Sequence, residues 1–590
     1  MTTSGDPTWQ ARYTVSKFIS LQIAAHNPKR CVVIVQVLGK PTILVWDLAV
    51  STYTSVADVT LAIEFGGISP DGMFVYYHDG QRLQKVEFSA THKKHAITDS
   101  IAPFSPVSMS ASLNGEMLGF SAARSDGFSL YTLETRNGAT PKLLYRSAHP
   151  AFGPLLSYDA KHAVIAVTER KHYGDLSLLV FNLLAESSQQ NVSVLEEHEG
   201  SIQPIMFSRA QGDPRLLAMT NATGEVRPLI WDVVSGDRTD FPLEEIEGDL
   251  TPLDWSVDAG QILLMQVEKA IHKLFIYDLN RSTFTPLLNL PAGTIHSAEF
   301  LIDSNKDDEL VLMLETSEHP PHVTVVSSKD GAFMRELLAP SAPKGHAWQS
   351  VNFTSSGGVT VQAWLAKPEG DGPFPTIIHA PTGPDSVLTP TYDADASTWV
   401  DAGFAWLGVN YRGSVTFGET FHKSIYGILG LRESDDLSAG AAWLIAEGIA
   451  REDALIVEGS RYGGFVALMA LGRRPDLWAG ALVESPVTDW RELYQTAPDT
   501  LKAHIRSMFG GTPEAFAAQY RASSPVNYAE SVEAPIVMFS QQDDPTLPAD
   551  QIENYAKQVR ENGGQIEVYW DQNSAIERQR IRLEWVNKWR

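Results

Sequence analysis

Up to about residue 340 the chain repeats one short unit, and that repetition limits its fold more than any other feature. Each unit ends in an apolar strand that runs into an acidic or polar turn: TILVWDLAV, RLQKVEF, FSLYTLETRNG, LSLLVFNLL, RPLIWDVVSG, HKLFIYDLN and HVTVVSSKDG. Strand pairs such as IEFGGISPDGMFVYY, VSMSASLNGEMLGFS and LTPLDWSVDAGQILLMQ precede them. The units recur at roughly 40 to 50 residues and show almost no helical periodicity. Seven of them predict a seven-bladed β-propeller, in which radial repetition leaves only short, protected sheet edges. Two β-sandwiches are the alternative.

The pattern changes near Ala342 to Gly345, after LLAPSAPKGH. Strand-like runs (TIIHA, AWLGVN, ALIVE, GALVES, PIVMFS, QIEVYW) then alternate with helical ones (DDLSAGAAWLIAEG, GGFVALMALGRR, DQIENYAKQV). Such alternation predicts a mostly parallel sheet covered on both faces, with its chemistry at the carboxyl ends of the strands. The expected domains are therefore residues 1–342, a propeller, and 343–590, an α/β domain.

Composition adds exclusions. The chain has 590 residues, 43% hydrophobic and 20% charged, with a formal charge of −25. A broadly acidic surface disfavours nucleic acid and anionic membranes as partners. The single cysteine, Cys31 in CVVIVQVL, cannot form an intrachain disulfide and reads as packing. The N-terminus lacks a basic region followed by an apolar one, and no apolar run approaches the roughly 18 residues of a membrane helix. A cytoplasmic, soluble protein is expected.

Between the strand ALIVE and the helix that Pro475 ends lies the glycine-rich turn EGSRYGGF, the context in which a nucleophile elbow, G-x-S-x-G, has meaning. Alignment on Gly459 and Gly463 puts Arg461 at the nucleophile position and Ser460 at the variable one. In the other register the flanking residues would be Glu458 and Tyr462, too bulky for a strained turn.

From about Val351 onward the chain resembles the prolyl oligopeptidase family of serine peptidases, and most of all its acylaminoacyl peptidase branch. The motifs are VNFTSSGGVTVQAWLAKPEG, NYRGSVTFG, EGSRYGGF, ESPVTDWRELY, SPVNYAESVEAPIVMFS and QQDDPTLP. The resemblance implies a propeller joined to an α/β-hydrolase domain, with dimers possible. Carried over residue by residue, the family's serine falls on Arg461, its aspartate on Asp544 and its histidine on Ser574. The His-Gly before the aspartate is replaced by Ser540 and Gln541. The oxyanion loop corresponds to Pro381, Thr382, Gly383 and Pro384, and a further expected glycine is Thr416. Nucleophile, acid and base follow in that chain order in this fold, yet the last histidine is His504, upstream of Asp544. Loss of a triad nucleophile or base costs on the order of 10⁴ to 10⁶ in rate, so efficient peptidase activity is not expected.

Arginine cannot serve as a base near neutrality, but it binds anions. With no imidazole between them, Arg461 and Asp544 are expected to pair directly, either as a plug or as a functional site. His379, at the end of TIIHA, is the candidate acid or base, packing being its ordinary alternative. Tyr411, Arg412, Glu458, Tyr462 and Asp543 are candidate substrate-binding residues, although Arg412 also reads as a loop brace; Asp435 and Asp436 read as helix caps. Scattered histidines and the absence of G-x-G-x-x-G or P-loop spacing predict no metal and no cofactor. Three functions fit. One is a non-peptidase enzyme that acts on a small molecule between the domains, by cyclisation, isomerisation, elimination or C–C bond formation. The others are a binding or scaffold pseudopeptidase and a residual or inactivated peptidase or esterase.

Overall fold

The structure, a computed structural model, describes residues 8–37, 40–48, 52–58, 65–78, 82–88, 94–98, 105–124, 127–136, 139–170, 175–184, 192–241, 243, 246–301, 308–544, 546–572 and 574–590. Its chain divides into two compact units.

The N-terminal unit, Thr14–Thr316 with Pro320–Ser341, holds seven four-stranded antiparallel sheets, each built from four consecutive strands. These are the seven blades of a propeller. The recurring apolar runs are the third strand of every blade, from Lys40–Asp47 in blade 1 to His322–Ser327 in blade 7. Strands at that place touch neighbours on both sides, which accounts for runs such as SLLVFN, buried at five of six positions. Cys31 is fully buried in blade 1. Adjoining blades pack through apolar clusters such as that of Leu216, Leu229 and Trp231 with Val164 and Val180.

The C-terminal unit contains Ala342–Arg590, and Thr8–Tyr13 and Ser317–His319 group with it. Its eight strands are β1 (Gln349–Thr354), β2 (Thr360–Ala366), β3 (Phe374–Ala380), β4 (Ala405–Asn410), β5 (Ala450–Ser460), β6 (Gly480–Glu484), β7 (Ile536–Ser540) and β8 (Ile566–Trp570). They form one sheet in the order β1-β2-β4-β3-β5-β6-β7-β8. The first two strands pair antiparallel, and from β4 through β8 all pairs are parallel. Strands β4 and β7 are buried along their length and β5 from Ala454 to Gly459, which is why they read as continuous apolar runs rather than alternating ones. The helices used below are α1 (Thr8–Tyr13), α2 (Ala394–Asp401), α3 (Leu431–Ala446), α4 (Tyr462–Arg473), α5 (Ala549–Glu561) and α6 (Ala575–Val586). Residues from α3, α4 and α5 share one core with Ile378, Ala380, Val457, Val483 and Met538.

The place of α1 differs from the division at 342. Arg12, almost fully buried, pairs with Asp401 and donates to the carbonyl of Lys344 at 3.0 Å, and the Tyr13 hydroxyl donates to Asp395. Six residues too short to show a period are thereby held on α2. Among the described residues no helix is long and apolar enough to cross a membrane.

Candidate functional site

Strand β5 feeds a turn that only certain residues permit. A Cβ on Gly459 would lie 2.4 Å from the carbonyl carbon of Gly463, and one on Gly463 would lie 2.1 Å from the oxygen of Ala380. Those two glycines let the chain reverse directly from strand into α4. Between them Arg461 takes φ 53° and ψ −116°, a conformation that costs a non-glycine residue about 1 to 3 kcal/mol. Its N–H donates to the carbonyl of Glu484 at 2.8 Å, and its carbonyl accepts from Phe465 at 3.0 Å. Ser460 remains in the strand, in register with Glu484. The residue presented at the carboxyl edge of the sheet is therefore Arg461.

Its guanidinium meets Asp544, in the segment after β7. Nη1 of Arg461 donates to Oδ2 of Asp544 at 2.5 Å and to the Thr546 hydroxyl at 3.4 Å. The other carboxylate oxygen accepts from the Thr546 N–H at 2.9 Å, the Thr546 hydroxyl at 2.8 Å and the Leu547 N–H at 3.1 Å. Burial pushes the Asp544 carboxyl up, but the donors from Thr546 and the charge of Arg461 outweigh it and hold it below the usual range. The Asp544 side chain is 1% exposed whereas that of Arg461 is 48% exposed. Asp544 is thus a saturated, ionised acceptor. Arg461 keeps much of its donor fork at the surface.

Two buried tyrosines support the segment Pro381 to Pro384. The Tyr411 hydroxyl donates to the Pro381 carbonyl at 2.7 Å, and a Cβ on Gly383 would meet that hydroxyl at 2.6 Å and the Tyr462 ring at 3.5 Å. The Tyr462 hydroxyl donates to Glu433 at 2.7 Å. Glu433 is fully buried, and burial raises it to about 7. Thr416, where a glycine was expected, keeps a left-handed φ of 74°. Tyr411 and Tyr462 are therefore scaffold beneath the loop, and substrate contact is not available to their hydroxyls.

Several other candidates lie elsewhere. His379 and Glu458 pair in register across β3 and β5, and both side chains point to the face away from α4. There Nδ1 of His379 meets Glu458 at 3.1 Å, and the same carboxylate accepts from Trp399 at 3.1 Å and from Trp406 at 3.4 Å. The hydrogen bonds of this group join His379 and Glu458 to each other and to Trp399 and Trp406, whereas Arg461 is engaged by Asp544 and Thr546. Arg412 is consumed by the buried carboxylate of Asp436, at 2.7 Å from Nη2, and by the Ser356 hydroxyl at 2.7 Å. It braces the loop and is withdrawn from any ligand. Asp435 and Asp436 lie inside α3 and pair with Arg473 and Arg412, so they do not cap the helix. Ser574 is exposed and caps α6, accepting from the Glu577 N–H at 3.3 Å. Asp543 is exposed in the turn before Asp544.

Glu433 and Thr546 escaped the sequence reading. Glu433 stands three residues before Asp436, on the same buried face of α3, and that spacing was the available signal. Thr546 offers no signal beyond its nearness to Asp544.

Residues 390–584 match the sequence profile described as the prolyl oligopeptidase family. Acylamino-acid-releasing enzyme 2 of Oryza sativa subsp. japonica is 29% identical over 203 residues, 33% of this chain and 26% of that protein. The uncharacterized peptidase YuxL of Bacillus subtilis (strain 168) is 24% identical over 263 residues, 41% of this chain and 38% of its own. The chain's matches thus span well under half the length of these curated relatives. Among solved structures, a puromycin hydrolase superposes with a TM-score of 0.76 at 17% identity, covering 99% of this chain and 95% of that one. The acylaminoacyl peptidase of Pyrococcus horikoshii gives 0.77 at 16% identity, with 98% and 95% covered. At such identities the likeness speaks for the fold, a seven-bladed propeller with an α/β-hydrolase domain. Residues 390–584 thus match the prolyl oligopeptidase family, and the chain is similar to acylaminoacyl peptidases within it.

Proposed function

We propose that this chain acts on or holds a small anionic molecule at the elbow and does not cleave peptides through an acyl-enzyme. The observation that carries the reading is Arg461 itself, half exposed in the strained turn, with Asp544 closed onto one end of its guanidinium. A guanidinium is a fork of fixed donors suited to a carboxylate. One nitrogen is engaged by Asp544 and the rest of the group faces outward. An N-acylamino acid, the product class named for the rice relative, carries such a carboxylate. Turnover would rest on shape and hydrogen bonding, without a covalent intermediate.

Binding without turnover is a second reading, favoured by the placement of His379. With that imidazole paired to Glu458 and Asp544 held ionised below the usual range, no free acid or base of near-neutral pKa meets Arg461 among the described hydrogen bonds.

The test is a calorimetric titration with N-acetylphenylalanine beside a fluorophosphonate labelling assay. The expected result is measurable binding, at least tenfold weaker in Arg461→Ala, and no labelling of the wild type. Labelling of the wild type, or binding unchanged by Arg461→Ala, overturns the proposal.

A further inference from the structure

Inside the propeller, the first strands of the blades surround a cavity of about 360 Å³, within the range of small-ligand sites. About half of its wall is apolar, with Met109, Leu155, Met206 and Phe207 among the lining residues. Its charged corner is formed by Arg209 and Glu299.

That corner is unevenly balanced. Nη2 of Arg209 is bound at 2.6 Å to Oδ1 of Asp254, whose other oxygen accepts from the Phe300 N–H at 2.8 Å. Glu299 stands 4.0 Å from the same guanidinium and accepts from the backbone N–H of Ile23. Two carboxylates therefore share one guanidinium, and the closer one holds it. Burial and the charge of Asp254 push Glu299 up to about 8, against the pull of Arg209.

We propose that this cavity binds an apolar small molecule bearing one primary ammonium group, the ammonium resting on Glu299 and the tail on Met109, Leu155, Met206 and Phe207. Raised to about 8, Glu299 carries a proton at neutral pH; an ammonium takes the place of that proton, which is released to solvent, and the corner of Arg209, Asp254 and Glu299 stays neutral with the ligand bound. An anion would meet Asp254 and Glu299 with the guanidinium of Arg209 already committed to Asp254. A neutral ligand would gain at most a hydrogen bond from the protonated carboxyl, without the charge pairing that an ammonium makes. The overall charge of −25 adds a field that favours cations. The site belongs to the N-terminal unit alone and is independent of the reading of Arg461.

The probe is phenethylamine, titrated calorimetrically into the full chain beside its neutral and anionic counterparts, 2-phenylethanol and 3-phenylpropionate. Phenethylamine is expected to bind at least tenfold more tightly than either, and Glu299→Gln to reduce it to the level of the alcohol. Met109→Trp, which fills the apolar wall, is expected to abolish binding and stands in should Glu299→Gln fail to fold. Equal binding of amine and alcohol by the wild type overturns the proposal, as does amine binding that survives either substitution. In Glu299→Gln the titration of N-acetylphenylalanine is expected to be unchanged, which separates this site from the elbow.

Discussion

The guanidinium of Arg461 meets the carboxylate of Asp544 at 2.5 Å across the carboxyl end of the sheet, yet the two residues depend on that contact unequally. Asp544 has three other donors and almost no exposure, whereas Arg461 is half in water. Asp544→Ala strands the Thr546 and Leu547 donors and is expected to cost about 3 kcal/mol. Arg461→Ala removes a half-exposed guanidinium, leaves Oδ1 of Asp544 its three donors and relaxes nothing in the backbone, so a smaller loss of about 1 kcal/mol is expected. Urea unfolding of the two variants measures the difference, and equal losses would contradict this account.

The same carboxylate sets an acid limit. Its folded-state pKa lies below the unfolded one, so its contribution is fully present above the usual carboxylate range, about pH 4, and is lost as pH falls through the depressed folded value. Asp544→Asn is expected to unfold with a shallower dependence on pH below about 4 than the wild type. Matching acid profiles would rule out Asp544 as a contributor.

The elbow glycines differ in how much room they have. A Cβ on Gly463 would sit 2.1 Å from Ala380 oxygen, but on Gly464 the nearest atom would be 3.1 Å away. Gly463→Ala is therefore expected to cost more than about 3 kcal/mol and to lower soluble yield, and Gly464→Ala about 1 kcal/mol. Thermal unfolding of both, side by side, checks the order.

These glycines also show how far the sequence could be read. Gly459 must face α4 for the turn to form, so Glu458, one residue earlier, must face away, and His379 lies in register with it. The parity of Glu458 was thus available from the sequence; its register with His379 was not, because it depends on how β3 pairs with β5. The seven third strands were legible because each recurs as a short strand-like run, most of them rich in apolar residues, that closes on a polar turn. The docking of α1 was not, because Arg12 and Tyr13 find partners nearly 400 residues away and nothing local announces them.

That docking can be measured. Arg12 is buried against Asp401 and the Lys344 carbonyl, so Arg12→Ala leaves a partly buried carboxylate with His346 as its remaining ion-pair partner. A loss of about 2 to 3 kcal/mol is expected, with faster amide exchange across Ala394–Asp401. Exchange that changes in the propeller strands but not in that helix would mean that the N-terminal residues serve the other unit.

His379 provides the last test, and its sign separates packing from catalysis. Burial alone would lower its pKa, but the hydrogen bond and charge of Glu458, with Asp393 and Asp395 behind, raise it above the usual imidazole value. Stability from the pair is complete below about pH 6.5 and is lost as pH rises through the raised folded value. The wild type is thus expected to lose stability between near-neutral and mildly alkaline pH, and His379→Gln to lack that slope. Binding of N-acetylphenylalanine over the same range should follow the wild-type profile in His379→Gln wherever both are folded, because the imidazole is paired with Glu458 and Arg461 with Asp544. A binding profile that shifts with His379 while the unfolding profile does not would return the histidine to the elbow and sink the assignment made here.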